Sequence, residues 1–126
     1  DNKKWVYQVS EGKRYLFLWW LNLKAFSSAW RGYNESHMAL YDKQTGETVA
    51  IAGDGLIDDI DNGMTFFPQY GICNNAMVSS VWPFELKEYI QKKAEKGESV
   101  SNRLIALADS LDDEENPILI IAHLKQ

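Results

Sequence analysis

The chain has 126 residues, 45% of them hydrophobic and 25% charged, with a net charge of −5 at pH 7. This is the composition of a single globular domain, and an acidic chain without a basic stripe excludes a nucleic-acid partner. The single cysteine, Cys73, excludes an internal disulfide and any Cys/His metal spacing. We expect no metal site and no cofactor.

The first elements carry strand patterns. "WVYQVS" alternates, which places Trp5, Tyr7 and Val9 on one face, and "EGKR" then forms a turn. The run Tyr15–Leu23, "YLFLWWLNL", is almost continuously apolar and lacks the polar face of a surface helix. It therefore predicts a strand buried on both faces.

A loop over Lys24–Ser36 and a hairpin follow. "HMALYDKQTGETVAIAG" contains two alternating segments around "DKQTGE", where Gly46 can adopt positive φ. Next, "LIDDI" is a short strand candidate that leads into the turn "DNG". "MTFFPQYGI" and "NAMVSSVW" are further strand candidates, separated by a turn at Asn74 and Asn75.

After Trp82 the apolar period changes from two residues to about 3.6, which indicates helices. "PFELKEYIQKKAEK" predicts a helix that begins at Pro83 and ends before Gly97, and a second helix is predicted from Ser101 to Leu111. "PILIIAHLK" is a final strand. The predicted apolar stripes of the two helices contain Trp82, Leu86, Tyr89 and Ile90, and Val100, Leu104, Leu107, Ala108 and Leu111.

The predicted fold class is therefore mainly β, with antiparallel sheets and a small helical insertion at about residues 83–111 before the last strand. At about 40–45 residues per four-stranded unit, the β part amounts to about two propeller blades. The motifs "LYDKQTGETVAI", "LIDDIDNGMTFFPQY", "WPFELKEYI" and "ALADSLDDEENPILIIAHLK" occur in this order. Together they resemble the C-terminal part of a family of six-bladed β-propeller lipoproteins of unknown function from gut Bacteroidetes.

The resemblance implies a single domain over residues 1–126 that is the C-terminal fragment of a longer propeller chain. The start at Asp1 rather than Met agrees with a processed or excised piece. The resemblance further implies a location in the periplasm or at the cell surface, with a membrane association only through a lipid anchor that this chain lacks. It implies propeller-blade sheets and no reaction, because the family offers no catalytic residue to transfer.

The acidic stretch "GLIDDIDNGMTFFPQY" has three interpretations. An EF-hand alignment with Gly63 at loop position 6 places Ile60 at position 3, which needs an oxygen ligand, and Gln69 at position 12, which needs Glu. A calcium site here would therefore require a different, looser loop. A catalytic pair is the second interpretation. In a strand, Asp59 and Asp61 share a face with Cβ atoms about 7 Å apart. The third is a turn in which Asp and Asn side chains bond their own backbone, and we prefer it because it explains every residue.

Exposed loop aromatics are the better binding candidates. Trp19 and Trp20 lie on opposite faces of one strand, so at most one can join a sugar-stacking platform, whereas Trp30 and Tyr33 lie in a loop. A nucleophilic Cys73 with His37 or His123 as its base has no supporting motif. The remaining candidates for ligand binding are Trp30, Tyr33, Asp59 and Asp61.

These observations favour a non-enzymatic binding or scaffold module at the bacterial cell envelope, with a glycan or a peptide as its ligand. The alternative is a hydrolase that uses Asp59 and Asp61. We also expect self-association through the Tyr15–Leu23 strand or through an open sheet edge, because incomplete blades leave apolar surface uncovered.

Overall fold

A computed structural model describes residues 3–23, 35–52 and 55–124. These residues form two compact units, one of residues up to 55 with 71–75, the other of residues 56–70 with those from 76 onward. The secondary structure consists of antiparallel sheets and two short helices, as predicted. The predicted loop at Lys24–Ser36 lies, up to residue 34, outside the described residues.

The first unit contains a four-stranded sheet whose strands follow one another in chain order. All neighbouring strands are antiparallel, so the sheet is an up-and-down meander. The strands are β1 (Lys3–Glu11), β2 (Tyr15–Leu23), β3 (Glu35–Asp42) and β4 (Thr48–Ile51).

The apolar run forms strand β2 with the predicted bounds. Trp19 pairs with Met38 and Trp20 with His37, which confirms that the two tryptophans lie on opposite faces. The prediction of burial on both faces is wrong. Only Phe17, at 2% exposure, is buried among residues 15–21, and the others are half-buried. The neighbouring strand β1 is an edge strand with exposed side chains, so it gives β2 only partial cover.

Strand β1 contains a β-bulge that changes the predicted faces. Val6 pairs with Trp20 and Gln8 with Trp19, so Tyr7 is an extra residue in the register. Tyr7 packs edge-on against Trp19, with ring centroids 4.8 Å apart. Val9 pairs with Leu18 and therefore lies on the other face. The predicted common face of Trp5, Tyr7 and Val9 is wrong because simple alternation cannot detect an inserted residue.

The hairpin prediction is confirmed. β3 and β4 pair through a turn in which the Gly46 amide donates to the Asp42 carbonyl at 2.8 Å, and Gly46 has φ +75°. The Arg14 guanidinium donates to both carboxylate oxygens of Asp42 and connects the start of β2 with the end of β3. These hydrogen bonds hold the pKa of Asp42 at about 2.

A second sheet has three strands in the order β5 (Ile72–Cys73), β6 (Ala76–Val81) and β7 (Ile118–His123). The turn before β6 is confirmed, since Asn74 and Asn75 both have positive φ. β6 and β7 pair antiparallel from Ala76 opposite His123 to Val81 opposite Ile118. One face of this pair, here called the inner face, is buried on β6 at Met77, Ser79 and Val81, which alternate along the strand.

Helices α1 (Pro83–Glu95) and α2 (Asn102–Asp109) cover the inner face. Their bounds confirm the predicted helical insertion. Val81, Leu86 and Ala108 form the centre of the core, and Met64, Ile90, Leu104, Ile118 and Ile120 pack around it. Within the described part of the chain, no helix combines the length and apolarity needed to span a membrane.

Two members of the predicted apolar stripes are exposed, so these assignments are wrong. Trp82 precedes the first turn of α1, where its amide donates to Glu85 Oε2 at 3.0 Å, and its ring stacks beside Phe84 instead of entering the core. Leu107 lies about 100° around α2 from the buried Ala108. A helix of only 8 residues buries a narrower stripe than the sequence pattern indicated.

We expect Gly46→Val to lower the free energy of unfolding by about 1–3 kcal/mol, because a β-branched residue is strained at positive φ. No atom lies within 4 Å of the position of an added Cβ, so the loss would report backbone strain rather than a clash. Urea unfolding measures the change, and Gly46→Asn is the matched control because asparagine tolerates this conformation. Equal stability of Gly46→Val and the unaltered chain would contradict the observed turn.

Candidate functional site

The acidic stretch forms a closed loop in the second unit, here called the acidic loop (residues 56–66). Two backbone hydrogen bonds between Leu56 and Phe66, of 2.8 and 2.7 Å, close it. Residues 59–61 form a turn, so the strand predicted for "LIDDI" is wrong beyond the single bridge at Leu56. The hydrogen bonds of Asp58 give the physical reason.

Asp58 accepts backbone hydrogen bonds from three later residues. Its Oδ1 accepts from the amides of Ile60 at 3.0 Å and Asp61 at 3.2 Å, and its Oδ2 accepts from the Gly63 amide at 3.1 Å. A carboxylate that satisfies three amides of its own loop replaces the ladder of a strand with a turn. This confirms the turn interpretation of the acidic stretch.

Asn62 and Gly63 have different roles in the turn. Asn62 adopts the positive φ, at +53°, which short polar residues tolerate. Gly63 is needed for space, since a Cβ at this position would lie 2.6 Å from Asp58 Oδ2. A larger residue at position 63 would therefore displace the carboxylate that holds the turn.

Asp61 connects the acidic loop with the N-terminus of α2. Its carboxylate accepts from Ser101 Oγ at 2.6 Å and from Arg103 Nη2, and its carbonyl accepts from the Ser101 amide at 2.9 Å. Ser101 also caps α2, since its Oγ accepts from the Leu104 amide at 3.1 Å. Because the first turn of α2 contains no acidic residue, Asp61 supplies the negative charge that a helix N-terminus favours.

The pKa of Asp61 is lowered, chiefly by the hydrogen bond from Arg103 and next by the one from Ser101. Its side chain is 15% exposed, whereas that of Arg103 is 77% exposed, so solvent screens the ion pair. The carboxylate is therefore charged at neutral pH and retained by its partners.

The acidic loop is also tied to α1. Tyr89 Oη donates to the carbonyls of Asn62 and Gly63 at 3.0 and 2.8 Å, and Asn62 Nδ2 donates to the Ser99 carbonyl at 2.7 Å. Together these contacts hold the loop on the helical pair from both sides.

The catalytic use of Asp59 and Asp61 stays a prediction, although the turn removes the strand geometry on which it was based. Asp59 lies exposed in the turn, so the strand alternation that would align it with Asp61 does not apply. Asp61 accepts hydrogen bonds on both oxygens and has a lowered pKa, so it does not suit the proton-donating role in such a pair. Within residues 3–23, 35–52 and 55–124, no group of three or more His, Cys, Asp or Glu side chains is placed to hold a metal ion.

Of the other candidates, Trp30 and Tyr33 lie outside the described residues, so their binding role stays a prediction. Cys73 is exposed, and the His37 ring stacks on Trp20 with a centroid distance of 5.6 Å.

The sequence reasoning missed Ser101 and Arg103 as partners of the acidic loop. The one local signal was a capping serine followed by a first turn that lacks an acidic residue.

The sequence reasoning also missed an exposed apolar surface on the second sheet. We call it the outer face, and by the register of β6 and β7 it contains Ala76, Val78, Ser80, Leu119, Ile121 and His123. Leu119 and Ile121 are 65% and 60% exposed. The alternation in "PILIIAHLK" carried this signal, because it brings every second apolar residue to the face opposite the helices.

The described architecture is a small β-rich module with a helical pair on one sheet face. The chain belongs to the family described as "Domain of unknown function (DUF4934)", whose model matches residues 1–123. Searches of the curated proteins and of the solved structures found no significant match.

We expect Asp61→Asn to lower the free energy of unfolding by about 1–3 kcal/mol at pH 7, through the loss of charged hydrogen bonds. Because the pKa of Asp61 is lowered by folding, its stabilisation is complete above the ordinary aspartate pKa of about 3.9 and is lost as the pH falls below that value. The unaltered chain should therefore lose more stability between about pH 6 and about pH 3 than the variant does.

Urea unfolding across this pH range makes the measurement. Asp109→Asn removes an exposed carboxylate at the other end of α2 and is the matched control, with no loss expected at pH 7. An Asp61→Asn chain as stable as the control would contradict the role of this side chain.

We expect millimolar calcium to leave the melting temperature unchanged, because Asp58 and Asp61 already accept hydrogen bonds on both carboxylate oxygens. Differential scanning calorimetry with calcium or with a chelator checks this. A rise of several degrees in calcium would reveal an ion bound to the native state and would overturn the turn interpretation.

Proposed function

We propose that this chain is a non-enzymatic binding or scaffold module, and that the outer face of its second sheet contacts a peptide or protein surface. The single observation that carries the proposal is the exposure of Leu119 and Ile121 on a sheet whose opposite face is already covered by two helices. An exposed apolar sheet face of this kind is typical of an interaction surface.

The outer face is a continuous surface in the described part of the second unit. Ser80 lies opposite Leu119 and Val78 opposite Ile121, so the exposed side chains of β7 adjoin half-buried ones of β6. Tyr70 extends the surface beside β6, because its amide donates to the Val78 carbonyl at 3.1 Å and its hydroxyl lies 3.0 Å from Ser80 Oγ.

The composition of the outer face favours a peptide or protein over a glycan. Its central side chains are aliphatic, namely Val78, Leu119 and Ile121, and aliphatic side chains gain most from apolar partners. Glycan recognition would instead use flat aromatic rings with polar groups around them. A glycan is the second ligand class to be tested, because Trp30 and Tyr33 are aromatic binding candidates.

We further propose that the two sheets are blades of a β-propeller at the bacterial cell envelope, in the periplasm or at the cell surface. The meander of four antiparallel strands in the first sheet supports this proposal, since propeller blades are four-stranded. The second sheet has three described strands and would be an atypical blade. The envelope location and the lipid anchor rest on the sequence resemblance alone. A hydrolase using Asp59 and Asp61 receives no support, because Asp61 is retained by Ser101 and Arg103.

The test is a screen of the immobilised chain against a phage-displayed peptide library, with a glycan array in parallel. We expect enrichment of peptides rich in apolar residues. Ile121→Lys should weaken their binding at least about tenfold, as expected for a central interface side chain. Leu107→Lys is the matched control, because Leu107 is an exposed apolar residue of the same unit that lies on α2.

Circular dichroism establishes that both variants are folded before binding is compared. Peptide binding that survives Ile121→Lys, or a failure to enrich any apolar peptide, would contradict the outer face as the binding surface. If the chain releases sugar from the glycan array and the Asp61→Asn variant does not, the hydrolase would be favoured over the binding module.

A further inference from the structure

A second uncovered surface lies in the first unit, at the free edge of strand β1. β1 has 9 residues and lies at one end of the sheet order, and among the described residues no strand pairs with its outer side. Its side chains Trp5, Val6, Tyr7 and Val9 are each more than half exposed. A long edge strand with exposed apolar side chains is a template for another strand. The edge at β4 offers only 4 residues.

The bulge makes the exposed strand compatible with a copy of itself. Val6 pairs with Trp20, Val9 with Leu18 and Glu11 with Leu16, so these three β1 residues lie on the same sheet face. Lys4 joins them by alternation with Val6. In a regular strand without a bulge, Lys4 and Glu11 would lie on opposite faces, because their positions differ by seven.

We propose that two copies of this chain associate by antiparallel pairing of their β1 strands about a two-fold axis. The register that the charges select places Lys4 of each copy opposite Glu11 of the other. Residues directly opposite in an antiparallel pair must share a face, and the bulge satisfies this requirement for Lys4 with Glu11 and for Val6 with Val9.

The same register also matches the other face. Trp5 pairs with Leu21 of β2, Gln8 with Trp19 and Ser10 with Phe17, so these residues share the second face. Trp5 then lies opposite Ser10 of the second copy.

The charges at the ends of β1 are available for this contact. Lys4 is exposed, and Glu11, whose side chain is 65% exposed, accepts from Lys43 Nζ through Oε1 at 2.9 Å. The second carboxylate oxygen of Glu11 can therefore receive Lys4 of the other copy while the ion pair with Lys43 persists. A second copy fits this edge better than an unrelated strand, because β1 carries its own complementary charge at each end. The inference concerns the first sheet and does not depend on the outer face of the second.

Charge exchange tests the register, with the full chain and sedimentation equilibrium at micromolar concentrations. Lys4→Glu places two glutamates opposite each other at both ends of the paired strands, and Glu11→Lys places two lysines there. We expect each variant alone to dimerise about tenfold more weakly, since attraction becomes repulsion in both cross-strand pairs. An equimolar mixture of the two variants should regain the affinity of the unaltered chain, because every pair again has opposite charges.

Lys13→Glu, an exposed charge reversal outside β1, is the matched control and should dimerise as the unaltered chain does. If Glu11→Lys fails to fold, Val9→Lys replaces it as a variant that must weaken dimerisation. A monomeric unaltered chain, a Lys4→Glu variant that dimerises normally, or a mixture of folded variants that stays monomeric would each overturn the proposal.

Discussion

The hydrogen bonds of Asp58 and Asp61 are the constraint on which the second unit depends. Asp58 holds three amides of the acidic loop, and this fixes the position from which Asp61 reaches Ser101 and Arg103 at the start of α2. The loop also carries Met64 to the core formed by Val81, Leu86 and Ala108. The carboxylates that most resemble a catalytic or metal site in the sequence therefore organise the packing of the helices.

Because these carboxylates have a structural role, the uncovered surfaces of the two sheets are the better candidates for function. The helices cover one face of the second sheet and leave the outer face open, and the first sheet leaves the edge of β1 unpaired among the described residues. Apolar surface of this kind is costly to expose, at about 25 cal/mol per Å². Both features are expected of the proposed binding module.

The parts of the fold that the sequence predicted correctly depend on local patterns. β2, the hairpin turn at Gly46 and the bounds of α1 follow from apolar runs, turn residues and caps that lie close together in the chain. The errors depend on information that is not local. The bulge at Tyr7 is defined only by the register with β2, and the bond between Asp61 and Ser101 spans 40 residues. Strand alternation gives the wrong prediction for "LIDDI" because it takes no account of the hydrogen bonds that Asp58 accepts from later amides.

Amide hydrogen exchange in the acidic loop tests the central claim most directly. The amides of Ile60, Asp61 and Gly63 donate hydrogen bonds to the Asp58 carboxylate, although this loop is at the surface of the molecule. NMR-detected exchange should therefore show these three amides protected well beyond the rate of an unstructured peptide. Exchange of all three at the unstructured rate would contradict the account, because the acidic loop would then lack the hydrogen bonds that position Asp61.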